Sequence, residues 1–150
     1  MIVSPALNGL YAITDTRLQR PDQLTERVRQ AIDGGARLIQ YRDKSGNEAK
    51  RLEQASALRS LCGEYNACLI INDDITLAKA VAADGVHLGE DDISIEQARL
   101  ILGNNAIIGI SCYNQLQLGA RAQAAGADYV AFGAVFTSPT KPHARSASCE

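Results

Sequence analysis

No stretch of this sequence is apolar for the roughly 20 residues that a membrane-spanning helix needs. Met1 to Leu10 has neither a basic start nor a long apolar core. The expectation is a cytoplasmic chain with no membrane partner. Its 15 lysines and arginines are scattered among 17 acids, for a net charge of -2, so no continuous basic face would draw in nucleic acid. The four cysteines, Cys62, Cys68, Cys112 and Cys149, lie far apart with no C-x-x-C pair. That counts against a zinc knuckle or a redox motif, and all four are read as reduced. No G-x-G-x-x-G follows the first strand-like run, where Thr14-Asp15-Thr16 stands instead, which disfavours an open dinucleotide-binding sheet.

What is present is an ordinary globular mix, 46% hydrophobic and 21% charged over 150 residues, enough for one domain. Short β-rich runs recur at Leu10 to Thr14, Arg37 to Tyr41, Cys68 to Asn72, Gly85 to Leu88, Ile107 to Ser111 and Tyr129 to Phe132. Between them apolar residues step by three and four, as in Leu24, Val28, Ala31 and Ile32, or Ala49, Leu52, Ala55, Leu58 and Cys62; these are one-sided helices. Asp22 and Ser94 stand at N-cap positions, Ser94 forming a capping box with Gln97, and Gly34, Gly103 and Gly126 stand where helices close. The phrases Gly34-Gly35-Ala36-Arg37, Ala83-Asp84-Gly85-Val86 and Gly126-Ala127-Asp128-Tyr129 look like one helix-to-strand turn used three times. Strict alternation of strand and helix requires a parallel sheet. The fold class expected is α/β, a (β/α)8 TIM-barrel type truncated to about six β/α units, with a doubly wound open sheet as the runner-up.

Barrel active sites are assembled at the C-terminal ends of the strands, and four of the six ends here are unusually polar. After the second strand, Gln40, Arg42 and Lys44 are spaced by two, so in extended chain they share a face opposite Ile39 and Tyr41. The third ends in Asn72-Asp73-Asp74 and the fourth runs into Glu90-Asp91-Asp92. Each acidic end alone also suits a helix cap. On adjacent strands about 4.8 Å apart, carboxylates from both can share one Mg²⁺, which takes one or two carboxylates together with waters and phosphate oxygens. The loop after the sixth strand, Gly133 to Lys141, brings hydroxyls and a lysine that suit a phosphate, or a simple turn. His87 reads as a packed neutral histidine and His143 as part of a Pro-flanked tail. Cys112 lacks a basic neighbour that would make it a nucleophile, and Ser111 suits either the barrel mouth or the cap of a helix near Asn114.

Taken in order, Leu10-Tyr11-Ala12-Ile13-Thr14-Asp15, Gln40-Tyr41-Arg42-Asp43-Lys44, Ile71-Asn72-Asp73-Asp74, Val86-His87-Leu88-Gly89-Glu90-Asp91-Asp92, Gly109-Ile110-Ser111 and Ser138-Pro139-Thr140-Lys141 resemble the thiamine-phosphate synthase family along the whole chain. The resemblance implies a Mg²⁺-dependent transferase. It would join hydroxymethylpyrimidine diphosphate to thiazole phosphate, giving thiamine phosphate and diphosphate. By the same resemblance Asp73 and Asp92 are metal ligands. Arg42, Lys44, Asn72 and Lys141 contact the pyrimidine substrate, chiefly its diphosphate. Gln40 and Ser111 line that substrate's pocket, and Ser138 and Thr140 contact the thiazole phosphate. Arg42, Lys44 and Lys141 are the residues expected to act on the leaving group.

The sequence departs from the family in having Glu90 where Gln is common and Thr137-Ser138 where Pro-Thr is common. Members also run on for about two more β/α units, so a fragment, or a chain completed by a partner through its open barrel edges, is expected. Two alternatives stand beside the transferase. One is a thiazole tautomerase-like isomerase, which has no need of a diphosphate site; the other is an inactive truncated chain that binds phosphate.

Overall fold

A computed structural model of the protein describes residues 7–18, 20–136 and 147. Six strands run β1 (Leu10–Ile13), β2 (Ala36–Tyr41), β3 (Cys68–Asn72), β4 (Gly85–Leu88), β5 (Ile107–Tyr113) and β6 (Tyr129–Phe132). Five helices alternate with them: α1 (Leu24–Asp33), α2 (Glu48–Glu64), α3 (Ile75–Ala80), α4 (Ile95–Leu102) and α5 (Leu116–Ala124). All pairings are parallel and the spatial order is the chain order. A doubly wound sheet reverses direction about its first strand; this one never does, so it is the barrel-type arrangement. The sheet curls so far that the Tyr11 and Tyr129 hydroxyls, from its two edge strands, meet at 2.7 Å.

Successive strand residues face opposite sides of a sheet, and burial follows that rule. Ile39 and Tyr41, Leu69 and Ile71, and Val86 and Leu88 pack with Leu24, Val28 and Ile32 of α1, Leu58 and Cys62 of α2, and Ile95 and Ala98 of α4. The main core thus lies between sheet and helices. Gln40 and His87, on the opposite face, turn into the curl, where each is hydrogen-bonded. The expected helical stripes hold except at the start of α2, where Leu52 remains 46% exposed. No helix among the described residues is long and apolar enough to cross a membrane.

The capping expectations divide. Ser94 and Gln97 form the reciprocal capping box at α4, and Gly103 and Gly126 adopt left-handed φ of 91° and 89°. Asp22 does not cap α1. It lies in a 3-10 turn over Pro21–Gln23 and pairs with Arg20 instead, because Pro21 fixes the first turn one step early. Gly34 ends α1 with φ -75°, and its neighbour Gly35, at φ 103°, makes the left-handed step. Ser111 caps no helix, because β5 continues to Tyr113.

The repeated turn phrase has a repeated structural device in two of its three copies. The Asp84 carboxylate accepts from the Leu69 amide at 2.8 Å and from Arg59 of α2 at 3.1 Å. The Asp128 carboxylate accepts from the Ile108 amide at 2.8 Å and from Arg99 of α4 at 2.7 Å. Each aspartate therefore ties the N-terminal end of the preceding strand to a helix. The first copy has no aspartate at that place, and Arg37 donates to backbone carbonyls there.

Candidate active site

Of the expected charged residues, Lys44, Asp73 and Asp92 come together at the C-terminal ends of β2, β3 and β4. Tyr41 points to the helices, its hydroxyl donating to Gln54 at 2.9 Å, so Gln40 before it turns inward. Past Tyr41 the chain is held by the Arg42 amide donating to the Thr14 hydroxyl at 2.9 Å. Among the described residues Arg42 makes no ion pair. Asp43, buried at 7% exposure, accepts from the Ser45 amide at 2.7 Å and pairs with Lys50 at 3.3 Å. Burial alone would raise its carboxyl; the Ser45 and Lys50 contacts outweigh that and hold it below the usual range. This anchored Asp43 fixes the loop that carries Lys44.

The backbone sets Asp73 and Asp74 apart. Asp73 has φ 62°, a left-handed conformation uncommon outside glycine. Its amide donates to the His87 carbonyl at 2.8 Å while the Asp74 amide turns back to the Asn72 carbonyl at 2.7 Å. Strand alternation is broken at this step. Asp74 then caps α3 through the Leu77 amide at 2.9 Å and pairs with Arg51 of α2 at 2.6 Å. Asp73 is instead in contact with the Lys44 ammonium.

Asp92 arrives from the loop after β4. Its carboxylate accepts from the Gly89 amide at 2.6 Å, which folds the Gly89 to Asp92 segment back over the strand end. Burial raises the Asp92 carboxyl above its ordinary value, and the neighbouring Asp73 charge and a hydrogen bond to Asp73 raise it further, against opposing pulls from the Gly89 amide and Lys44. Two carboxylates from adjacent strands thus crowd each other beside one ammonium. A cleft of about 280 Å³ opens here, lined by Asp43, Lys44, Ser45, Arg51, Asn72, Asp73 and Asp74. Asp73 and Asp92 put a pair of oxygen donors side by side; among the described residues no group of three or more His, Cys, Asp or Glu that could hold a metal ion is found. Such a pair suits a hard divalent cation that completes its shell with water and phosphate oxygens.

Deeper in the curl, Gln40 and Ser111 are joined by side chains that sequence reasoning did not single out as a group. Gln40 Nε2 donates to the Tyr11 hydroxyl at 2.8 Å, and the chain continues through Tyr129 and His87 to Ser111. His87 is packed and 8% exposed, as expected, but both ring nitrogens are hydrogen-bonded. Cys112 is fully buried and burial raises its thiol, so it is no nucleophile. Ser138, Thr140, Lys141, His143 and Cys149 lie outside the described residues. Arg51, on the cleft wall, was also missed; it stands in a helix with nothing in its local spacing to mark it.

The family model for thiamine monophosphate synthase matches residues 10–150. A thiamine-phosphate synthase of Nitrosococcus oceani is 55% identical over 140 residues, which is 93% of this chain and 64% of the relative. One of Thioalkalivibrio sulfidiphilus is 53% identical over 138 residues, 92% of this chain and 65% of the relative. A solved thiamine phosphate pyrophosphorylase from Pyrococcus furiosus aligns with a TM-score of 0.78 and 41% identity over 91% of this chain and 64% of that one. The chain spans just under two thirds of the length of these relatives.

Proposed function

Because the chain belongs to the thiamine monophosphate synthase family, we propose that it transfers the pyrimidine methyl unit of hydroxymethylpyrimidine diphosphate to thiazole phosphate, giving thiamine phosphate and diphosphate. The observation that carries this reading is the contact of Asp73 with both Lys44 and Asp92 at neighbouring strand ends. Asp73 and Asp92 would hold Mg²⁺. Bound there, the cation supplies a hard Lewis acid that offsets charge on diphosphate oxygens.

The protein's own groups do the rest. Arg42 and Lys44 bind the diphosphate, with Asn72 at the cleft wall, and the family resemblance adds Lys141 to them. Cleavage of the pyrimidine CH₂–O bond leaves negative charge on the departing diphosphate, and cations fixed in advance stabilise it without reorganising. The thiazole nitrogen takes up the methylene carbon, so no protein nucleophile is required. The buried, raised thiol of Cys112 accords with that. Gln40 and Ser111 flank the pyrimidine ring, and Ser138 and Thr140 contact the thiazole phosphate.

The isomerase alternative would leave the acidic pair and its cations without a role. The proposed compartment is the cytoplasm, where the buried thiols stay reduced. Exposed Leu10 and Ile13 on β1 and Phe132 on β6 favour self-association through the edge strands. The function is tested by incubating the chain with both substrates and Mg²⁺ and following thiamine phosphate, alongside calorimetric titration with Mg²⁺ and inorganic diphosphate. Turnover lost in Asp73→Ala together with diphosphate binding that requires Mg²⁺ supports it. Metal-independent conversion of a thiazole carboxylate phosphate, or no affinity for diphosphate, overturns it.

A further inference from the structure

The interior of the curl holds a continuous row of hydrogen-bonded side chains drawn from five of the six strands. Gln40 Nε2 on β2 lies 2.8 Å from the Tyr11 hydroxyl on β1. That hydroxyl lies 2.7 Å from the Tyr129 hydroxyl on β6, which lies 2.9 Å from His87 Nδ1 on β4. His87 Nε2 lies 2.8 Å from Ser111 Oγ on β5. The row is also braced by packing. Tyr11 meets Tyr129 edge-on with ring centroids 5.8 Å apart, and His87 stacks on Tyr129 at 5.6 Å. Space for the Tyr129 ring exists because residue 109 is glycine; a Cβ there would come within 1.9 Å of the ring.

Counting hydrogens gives the row a direction. Burial, the largest influence on each phenol, raises both Tyr11 and Tyr129 above their ordinary value, so both retain their protons at neutral pH. The Tyr11 oxygen accepts from the Gln40 amide, so its own hydrogen goes to Tyr129. Tyr129 then gives its hydrogen to His87 Nδ1. A neutral imidazole that accepts at Nδ1 carries its hydrogen on Nε2, and this is given to Ser111 Oγ. Ser111 is left with a hydrogen to donate, and Gln40 with its carboxamide oxygen to accept. With Gln40 Nε2 toward Tyr11, the opposite polarity would strand the Tyr11 hydrogen, at the cost of an unmade buried hydrogen bond.

We propose that Tyr11, Tyr129 and His87 are positioning residues whose one-way hydrogen-bond row presents Gln40 as an acceptor and Ser111 as a donor to the ring of an aminopyrimidine substrate. None of the four side-chain bonds that make the row reaches the diphosphate cleft or its cations. It fixes which hydrogen-bonding pattern the ring must show, and so acts on ring recognition while the cleft acts on charge. The inference rests on the assignment of Gln40 and Ser111 to the pyrimidine pocket.

Two measurements test it. In the unsubstituted chain, a nitrogen–proton NMR correlation of the imidazoles should show His87 as the Nε2–H tautomer with unprotonated Nδ1; an Nδ1–H tautomer overturns the row's direction. With Mg²⁺ present, titration of Tyr129→Phe should show affinity for hydroxymethylpyrimidine diphosphate lowered about tenfold and affinity for inorganic diphosphate within about twofold of the unsubstituted chain. Equal loss for both ligands, or no loss for either, overturns the positioning role. Tyr11→Phe breaks the row one link earlier and serves as the second variant should Tyr129→Phe not fold. If the unsubstituted chain binds neither ligand, the functional assignment fails, while the His87 tautomer still decides the direction of the row.

Discussion

The two ends of the same strands treat aspartate in opposite ways. At the N-terminal ends, Asp84 and Asp128 each accept from a strand amide and an arginine, so the charges are met by fixed partners. At the C-terminal ends, Asp73 and Asp92 press together, and Asp92 is held partly by a single amide and repelled by its neighbour. Where charge is fully met, it serves to hold strand to helix. Where it is crowded, each carboxylate opposes its neighbour, and that contrast separates the stabilising end from the proposed functional one.

Substitution can break the contrast. The largest effect is expected from Asp73→Ala, which should lower thiamine phosphate formation at least about hundredfold while leaving the melting temperature close to unchanged, since loss of the Lys44 contact opposes the relief of repulsion on Asp92. Asp84→Ala should do the reverse. It strands the amide of Leu69, a residue with no exposure, and the loss of about 2–3 kcal/mol in denaturant unfolding should come with normal affinity for diphosphate. Asp128→Ala should cost about 1–2 kcal/mol by the same measurement, less because Asp128 lies on an exposed turn before an edge strand.

Smaller effects sharpen the comparison. Asp92→Asn keeps the shape of the side chain and removes its charge, so thermal stability should rise slightly while Mg²⁺ affinity measured by calorimetry falls. If it instead destabilised the chain as Asp84→Ala does, the two ends would not differ in kind. Arg20→Ala, which breaks an exposed pair with Asp22, should change stability by less than about 0.5 kcal/mol and leave ligand binding unaltered.

Much of this was legible in the residues. The six strands fall where β-rich runs are spaced by helical stretches, with ends differing by at most two residues, because burial on two faces writes its period into the sequence. The cations and acids at the strand ends were visible for the same reason. The cap at Asp22 was misjudged because Pro21 starts a 3-10 turn, and the left-handed step fell one residue later than Gly34 because two glycines stand together. Arg51 and the phenols left no local mark, since their partners come from distant parts of the chain.

By itself the sequence determined the order of elements, the parallel sheet and the identity of the charged groups at its mouth, all of which follow from short-range periodicity and turn chemistry. Only the tertiary structure decided which carboxylate meets Lys44 and which caps α3, through the left-handed turn at Asp73. It alone decided that Asp73 and Asp92 touch, and that His87 is one link in a row joining Gln40 to Ser111. These depend on how far the sheet curls, which brings Tyr11 against Tyr129 across 118 positions of sequence, and no local pattern encodes a closure made by the whole sheet at once.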